Sequence, residues 1–209
     1  MTDYCSTTDV KGYMPEGIGA GSSTDYDFML GEMVTAASRF IDQYIGAWPN
    51  YFSPSTDTET RYFDGNKKVE IDVDHIAALT SVAVSEEGEL SSSDYTAWTL
   101  DTDYFTWPYN STGLVEPISR LIVDINGDKI NWTRFRKAVR VVARFGYSTS
   151  VPEVIKQACV AQTGRWYMRA KQAWQDGGAN VEIGKMTFVK QLDPDIKQIL
   201  NPWKLGGMW

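Results

Sequence analysis

The chain has 209 residues, with 20 Lys and Arg against 27 Asp and Glu, a formal net charge of −7. Hydrophobic residues at 43% and charged residues at 22% exclude a wholly disordered chain. The acidic excess argues against a simple nucleic-acid binder, which carries net positive charge, and the length suits one domain or one domain with a sizeable insertion.

The mean charge hides an asymmetry. Residues 1–118 hold 5 basic and 20 acidic side chains, whereas 119–209 hold 15 and 7. Such a split implies two electrostatic faces, two partners or a self-complementary interface. The 8 Trp, 11 Tyr and 8 Phe point to an interface as well as a core. Cys5 and Cys159 are too few for a disulfide scaffold. They read as reduced thiols, with Cys159 buried in a helix, although a bridge between them stays open. No basic start precedes an apolar run at the N-terminus, and no stretch nears the roughly 18–20 apolar residues of a spanning helix. A chain made in a cytoplasm and staying there without a membrane is the expectation.

In chain order, a short helix is expected from Thr7 or Thr8, with a capping residue and a stop at Gly12. Residues 15–24 read as a Gly/Ser linker. A long helix follows over Tyr26–Ile45, with Leu30, Met33, Val34, Ala37, Phe40, Ile41, Tyr44 and Ile45 on one face, a cap at Thr24 or Asp25 and an end at Gly46. Trp48, Tyr51 and Phe52 form an aromatic turn. The period then changes to two. Arg61–Phe63, a turn at Asp64-Gly-Asn66 and Val69–Val73 predict a hairpin. Further strands are predicted at Leu79–Val84, Ala97–Leu100, Tyr104–Thr106, Ser119–Asp124 and Ala138–Phe145. Pro152 opens a second long helix running to about Trp174, with Val154, Ile155, Ala158, Cys159, Gln162 and Trp166 buried. The end of the chain carries a strand-like Thr187–Lys190, a short helix over Pro194–Leu200 and an aromatic tail. The fold class is therefore α+β: a helical bundle (1–57 and 148–178) interrupted by a β-rich insertion (58–147), with an extended C-terminal tail (179–209).

The signs of catalysis are weak. His75 is the only histidine, and with Asp72 and Asp74 it falls short of the three or four converging ligands of a metal site. No nucleophile elbow is present. The Gly17-Ile-Gly19-Ala-Gly21 run lacks the Lys-Ser/Thr pair of a phosphate loop. No enzyme, cofactor or metal is expected. Arg134, Arg136, Lys137, Arg140 and Arg144, and on the second long helix Arg165, Arg169 and Lys171, read first as solvated or acid-paired residues and second as non-specific phosphate contacts. Trp203, Leu205, Met208 and Trp209 crowd a tail too short to bury itself, which predicts docking onto something.

Several segments together resemble a known family. They are Asp9-Val-Lys-Gly-Tyr13; Ala37-Ser-Arg39-Phe-Ile-Asp-Gln-Tyr44-Ile-Gly46; Thr60-Arg-Tyr-Phe-Asp-Gly65; Ile76-Ala-Ala-Leu-Thr-Ser-Val82-Ala-Val84; and Val141-Val-Ala-Arg-Phe-Gly146-Tyr147 leading through Val151-Pro152-Glu-Val-Ile-Lys156-Gln-Ala158 into a helix. Over roughly residues 4–175 the chain is similar to the head–tail connector (adaptor, or head-completion) proteins of tailed phages and phage-derived particles. The resemblance implies a ring, commonly of twelve subunits, below the portal protein. The ring extends the channel for packaged double-stranded DNA and presents a surface to a stopper or tail-completion protein. It implies a place in the virion neck after assembly in the host cytoplasm, with no enzymatic activity. By the same resemblance, Trp203, Leu205, Met208 and Trp209 become portal-docking anchors, and Arg165, Arg169 and Lys171 become channel or subunit contacts. The alternative reading is a carbohydrate- or receptor-binding virion module. It rests on Tyr95, Trp98, Tyr104, Trp107 and Tyr109, since aromatic faces stack on sugars.

Overall fold

The computed structural model describes residues 2–14, 26–54, 56–87, 94–109, 116–174 and 194–205. The fold is α+β, and the chain divides into two compact units. One contains residues 3–50 and 151–209, the other residues 51–150.

The first unit is helical. Helix α1 (Thr7–Tyr13) is capped by Ser6, whose hydroxyl accepts from the Asp9 N–H while the Asp9 carboxylate accepts from the Ser6 N–H. This reciprocal box replaces the expected Thr cap, and Gly12 lies inside the helix instead of ending it. Helix α2 (Asp27–Ile45) buries Leu30, Val34, Ala37, Ile41 and Ile45, the expected stripe, and ends at Gly46. Met33, Phe40 and Tyr44 are half-buried at its margin. Its N-cap is Tyr26, with no side-chain cap; Thr24 and Asp25 lie outside the described residues.

Helix α3 (Glu153–Trp174) packs against α1 and α2. It buries Ile155, Ala158, Cys159, Gln162, Thr163 and Tyr167, while Val154, expected inside, is 46% exposed. Val154 stands one residue before Ile155, about 100° around the helix and off the buried stripe. Phe40 meets Trp166 edge-on at 5.8 Å, and Tyr26 meets Tyr167 edge-on at 6.1 Å. Helix α4 (Pro194–Leu200) seals the bundle with Ile196 and Leu200. The Gly/Ser linker and the strand-like Thr187–Lys190 lie outside the described residues.

The second unit is a six-stranded sheet whose pairs are all antiparallel: β1 (Glu59–Phe63), β2 (Glu70–Ser85), β3 (Tyr95–Trp98), β4 (Tyr104–Trp107), β5 (Ile118–Val123) and β6 (Val139–Phe145). The order is β1-β6-β2-β5-β4, with β3 also on β2. The expected hairpin between Arg61–Phe63 and Val69–Val73 does not form. Instead β1 pairs with β6, Arg61 opposite Val141. The reason lies at the supposed turn. The Gly65 N–H donates to the Phe135 carbonyl at 2.8 Å and the Lys67 N–H to the Thr133 carbonyl at 3.3 Å, so 64–68 runs along 132–137. A Cβ at residue 65 would come within 2.0 Å of the Thr133 oxygen.

The two strands expected at 69–73 and 79–84 are one. No Gly or Pro interrupts Glu70–Ser85, and register shifts between Asp72 and Ile76, Ile76 and Ala78, and Leu79 and Ser81 carry the strand through. The inward parity differs across the first shift: Ile71 and Val73 are buried before it, and Ile76, Val82 and Val84 after it. Strand β6 alternates strictly, with Val139, Val141, Ala143 and Phe145 inside and Arg140, Val142 and Arg144 outside.

Candidate interaction surfaces

The N-terminal arm is held by a buried carboxylate. Asp42 is 2% exposed; it accepts from the Tyr4 hydroxyl and from the Asn50 N–H at 3.1 Å, and Arg39 Nε forms an ion pair with it at 3.3 Å. Arg39 also lies 5.5 Å over the Tyr4 ring. A buried charge needs such partners, which explains why Ser38-Arg-Phe-Ile-Asp42 carries two charges on a helix that faces a core. Nothing in the sequence singled out Asp42; its helix face, one turn after Ser38, was the available signal. Lys156 on α3 ties α1 down by an ion pair to Asp9 at 2.7 Å, which lowers the Asp9 carboxyl from 3.8 to about 2, with help from Ser6.

Arg165 and Arg169 come together. They stand one turn apart on α3 and line an apolar groove of about 460 Å3 against α1, with Val10, Tyr13, Met14 and Met168 among its walls. Tyr13 there is 72% exposed. Lys171 follows Arg169 by two residues and points to another side of the helix, so the expected trio is a pair plus one.

The C-terminal segment is folded onto α2 as far as it is described. A 3-10 turn at Asn201–Trp203 follows α4. Asn201 accepts from the Tyr44 hydroxyl at 2.9 Å, and Lys204 sits 4.4 Å from the Tyr44 ring centre. The Leu205 N–H donates to the Ile45 carbonyl at 2.9 Å, satisfying one of the four carbonyls that a helix end leaves over. Trp203 and Leu205 are both half-buried. Met208 and Trp209 lie outside the described residues.

In the sheet unit the proposed aromatic platform is divided. Trp98 stacks on Trp132 at 4.8 Å and both are buried, as is Tyr104; their role is core. Burial, with Asp101 and Asp103 nearby, pushes the Tyr104 hydroxyl up to about 12. Trp107 and Tyr109 remain exposed, edge to face at 4.9 Å. Tyr95 is half-buried under Arg140, whose guanidinium lies 4.7 Å from its ring. Arg140 and Arg144 share the outer face, as the spacing predicts, but Arg134, Arg136 and Lys137 precede the strand. A cleft of about 670 Å3 with a mixed lining carries Leu79, Leu100 and Ile118 beside Asp101 and Glu116, its two charged residues, and that acidic setting does not suit phosphate.

His75 is structural. Its Nδ1 shares a hydrogen bond with the buried Tyr51 hydroxyl, and burial lowers its pKa while Asp74 opposes that shift. Asp74 pairs with Arg61 at 2.8 Å and Asp72 with Arg120 at 3.0 Å. Among the described residues no group of three or more His, Cys, Asp or Glu is placed to hold a metal, and no helix is long and apolar enough to cross a membrane.

A chain from the neck of an empty GTA (gene transfer agent) particle, in a structure computed with C6 symmetry, superposes with a TM-score of 0.53. The match covers 97% of this chain and 90% of that one, at 13% identity. The two chains share a fold. No protein-family model matches the sequence, and no curated protein does. At that identity the likeness is one of fold alone.

Proposed function

We propose that the chain is a structural protein of the neck of a tailed phage or phage-like particle, a head–tail connector whose copies form a ring. The observation that carries this reading is the fold match to a neck chain over nearly the whole of both proteins. The surfaces support it. Tyr13 (72%), Phe28 (83%), Ile125 (65%) and Ile130 (74%) expose large apolar area, which a ring of heterologous contacts would cover. In this reading the ring lies below a portal protein, packaged double-stranded DNA passes through without base contacts, and a stopper or tail-completion protein binds the far side. Arg165 and Arg169 serve as subunit or DNA-backbone contacts, and Lys171 serves separately from them. The C-terminal residues through Met208 and Trp209 dock on the portal. No catalytic step belongs to this role.

The test is co-purification with the particle's own portal protein. Deleting 206–209 leaves the Leu205–Ile45 hydrogen bond in place and removes Met208 and Trp209; portal association is expected to fall at least tenfold while the chain stays folded. Unchanged association of this variant refutes the docking role. A chain that neither forms rings nor enters particles refutes the connector reading.

A further inference from the structure

The N-terminal arm meets α3 at two sulfurs. Cys5 Sγ lies 3.2 Å from Cys159 Sγ, 154 positions apart in sequence. Both are free thiols, Cys5 at 8% exposure and Cys159 at 0%. Their surroundings are ordered: the Tyr4 N–H donates to Ser38 Oγ at 3.0 Å, the Ser38 hydroxyl donates to the Val34 carbonyl at 2.8 Å, and Cys159 Sγ stands 3.5 Å from Ser38 Oγ. Donation from Cys5 lowers the Cys159 thiol against the effect of its burial, while the same contact and burial raise Cys5, so Cys159 ionises first.

We propose that Cys5 and Cys159 are a modification site that hydrogen peroxide converts to an intramolecular disulfide, fastening the arm that carries α1 to α3. The Cys159 thiolate attacks one peroxide oxygen and the O–O bond breaks, leaving a sulfenic acid and hydroxide, which leaves as water with the thiol's proton. The Cys5 sulfur then attacks the sulfenic sulfur. The S–S bond forms, the S–O bond breaks, and a second water departs with the Cys5 proton. Two thiols lose two electrons and the peroxide gains them. Cys5, at 8% exposure, is the more accessible of the two sulfurs, and local opening of the arm ahead of α1 admits a small oxidant to the pair.

The consequence follows from what holds the arm at present: the buried Tyr4–Asp42 contact, and the more exposed Asp3–Thr35 and Asp9–Lys156 contacts. Ion pairs at the surface hold weakly, whereas a crosslink closing so long a loop acts on the whole unfolded ensemble. The timing of oxidation rests on the neck reading: a particle assembled in a reducing host meets oxidant after release. The crosslink itself does not depend on that reading.

The purified full-length protein is treated with hydrogen peroxide under native conditions, alkylated and analysed by intact mass and peptide mapping, with amide exchange followed in parallel. The expected result is a monomer lighter by two hydrogens, a Cys5–Cys159 linked peptide reversed by dithiothreitol, and at least tenfold slower exchange over 4–13. Cys5→Ser, which leaves the sulfenic acid without a resolving thiol, is expected to label with dimedone at residue 159. Thiols that stay alkylatable at peroxide doses that label Cys5→Ser overturn the proposal, as do crosslinks only between molecules or a linked chain whose arm exchanges as before. Thiol counts on released particles separate the two readings: a reduced pair in particles, from a chain that crosslinks when purified, refutes the timing and leaves the site standing.

Discussion

At the scale of single residues, a few side chains decide whether each unit closes. Trp132 is fully buried, stacks on Trp98 and donates its indole N–H to the Val69 carbonyl at 3.1 Å. Trp132→Ala is expected to cost about 3–5 kcal/mol in urea unfolding. Gly146, in the Phe-Gly-Tyr step, has φ of 155°, and a Cβ there would meet the Tyr51 carbonyl at 2.7 Å. Only glycine fits that corner, which gives the Phe145-Gly146-Tyr147 step a structural cause. His75 and Asp9 set two pH windows. The lowered His75 pKa means that the unfolded chain takes up its proton first; stability is full above about 6.5 and falls as pH drops through that value toward the folded pKa. The Asp9 carboxyl, lowered to about 2, contributes above the unfolded pKa of about 3.9 and loses its contribution as pH falls toward 2. Thermal melts across pH are expected to show both steps, with the upper one absent in His75→Phe. An upper step that persists in His75→Phe would assign it elsewhere.

At the scale of elements, the helices were legible and the strand pairing was not. The stripe on α2 and the Pro152 start of α3 follow from local spacing, because a helix satisfies its backbone within one segment. Strand partners are chosen over long separations. The Asp64-Gly-Asn66 signal marks a real change of direction, but the partner of β1 is β6, more than seventy residues away, and no local rule reports that. Likewise the division of Trp98 and Tyr104 from Trp107 and Tyr109 depends on which face each strand turns inward. The Cys5–Cys159 pairing stayed open in the sequence for the same reason, since only the fold brings the two sulfurs together. At the C-terminus, helix α4 was readable from Pro194 and its apolar pair, whereas the return of Leu205 to α2 depends on tertiary contact. Leu200→Ala is expected to cost about 2–5 kcal/mol, because Leu200 is fully buried where α4 meets the bundle. A change below 1 kcal/mol would show that α4 is dispensable to that unit.

At the scale of the whole molecule, the uneven charge is partly neutralised within the chain. Lys156 pairs with Asp9, Arg120 with Glu70 and Asp72, and Lys129 with Glu86, each joining the basic half of the sequence to the acidic half inside one unit. The surplus left over is what neighbouring copies would meet, so ring formation is expected to weaken as salt rises from 0.05 to about 0.5 M, measured by sedimentation. Salt-independent assembly would assign the interface to the apolar groove and the exposed aromatics instead. The connector role is decided most directly by where the protein sits in the particle. Electron cryo-microscopy of intact particles carrying a tagged copy of this chain is expected to show a symmetric ring between head and tail into which this fold fits. Tag density on fibres, baseplate or capsid surface, or particles that lack the chain, would contradict it.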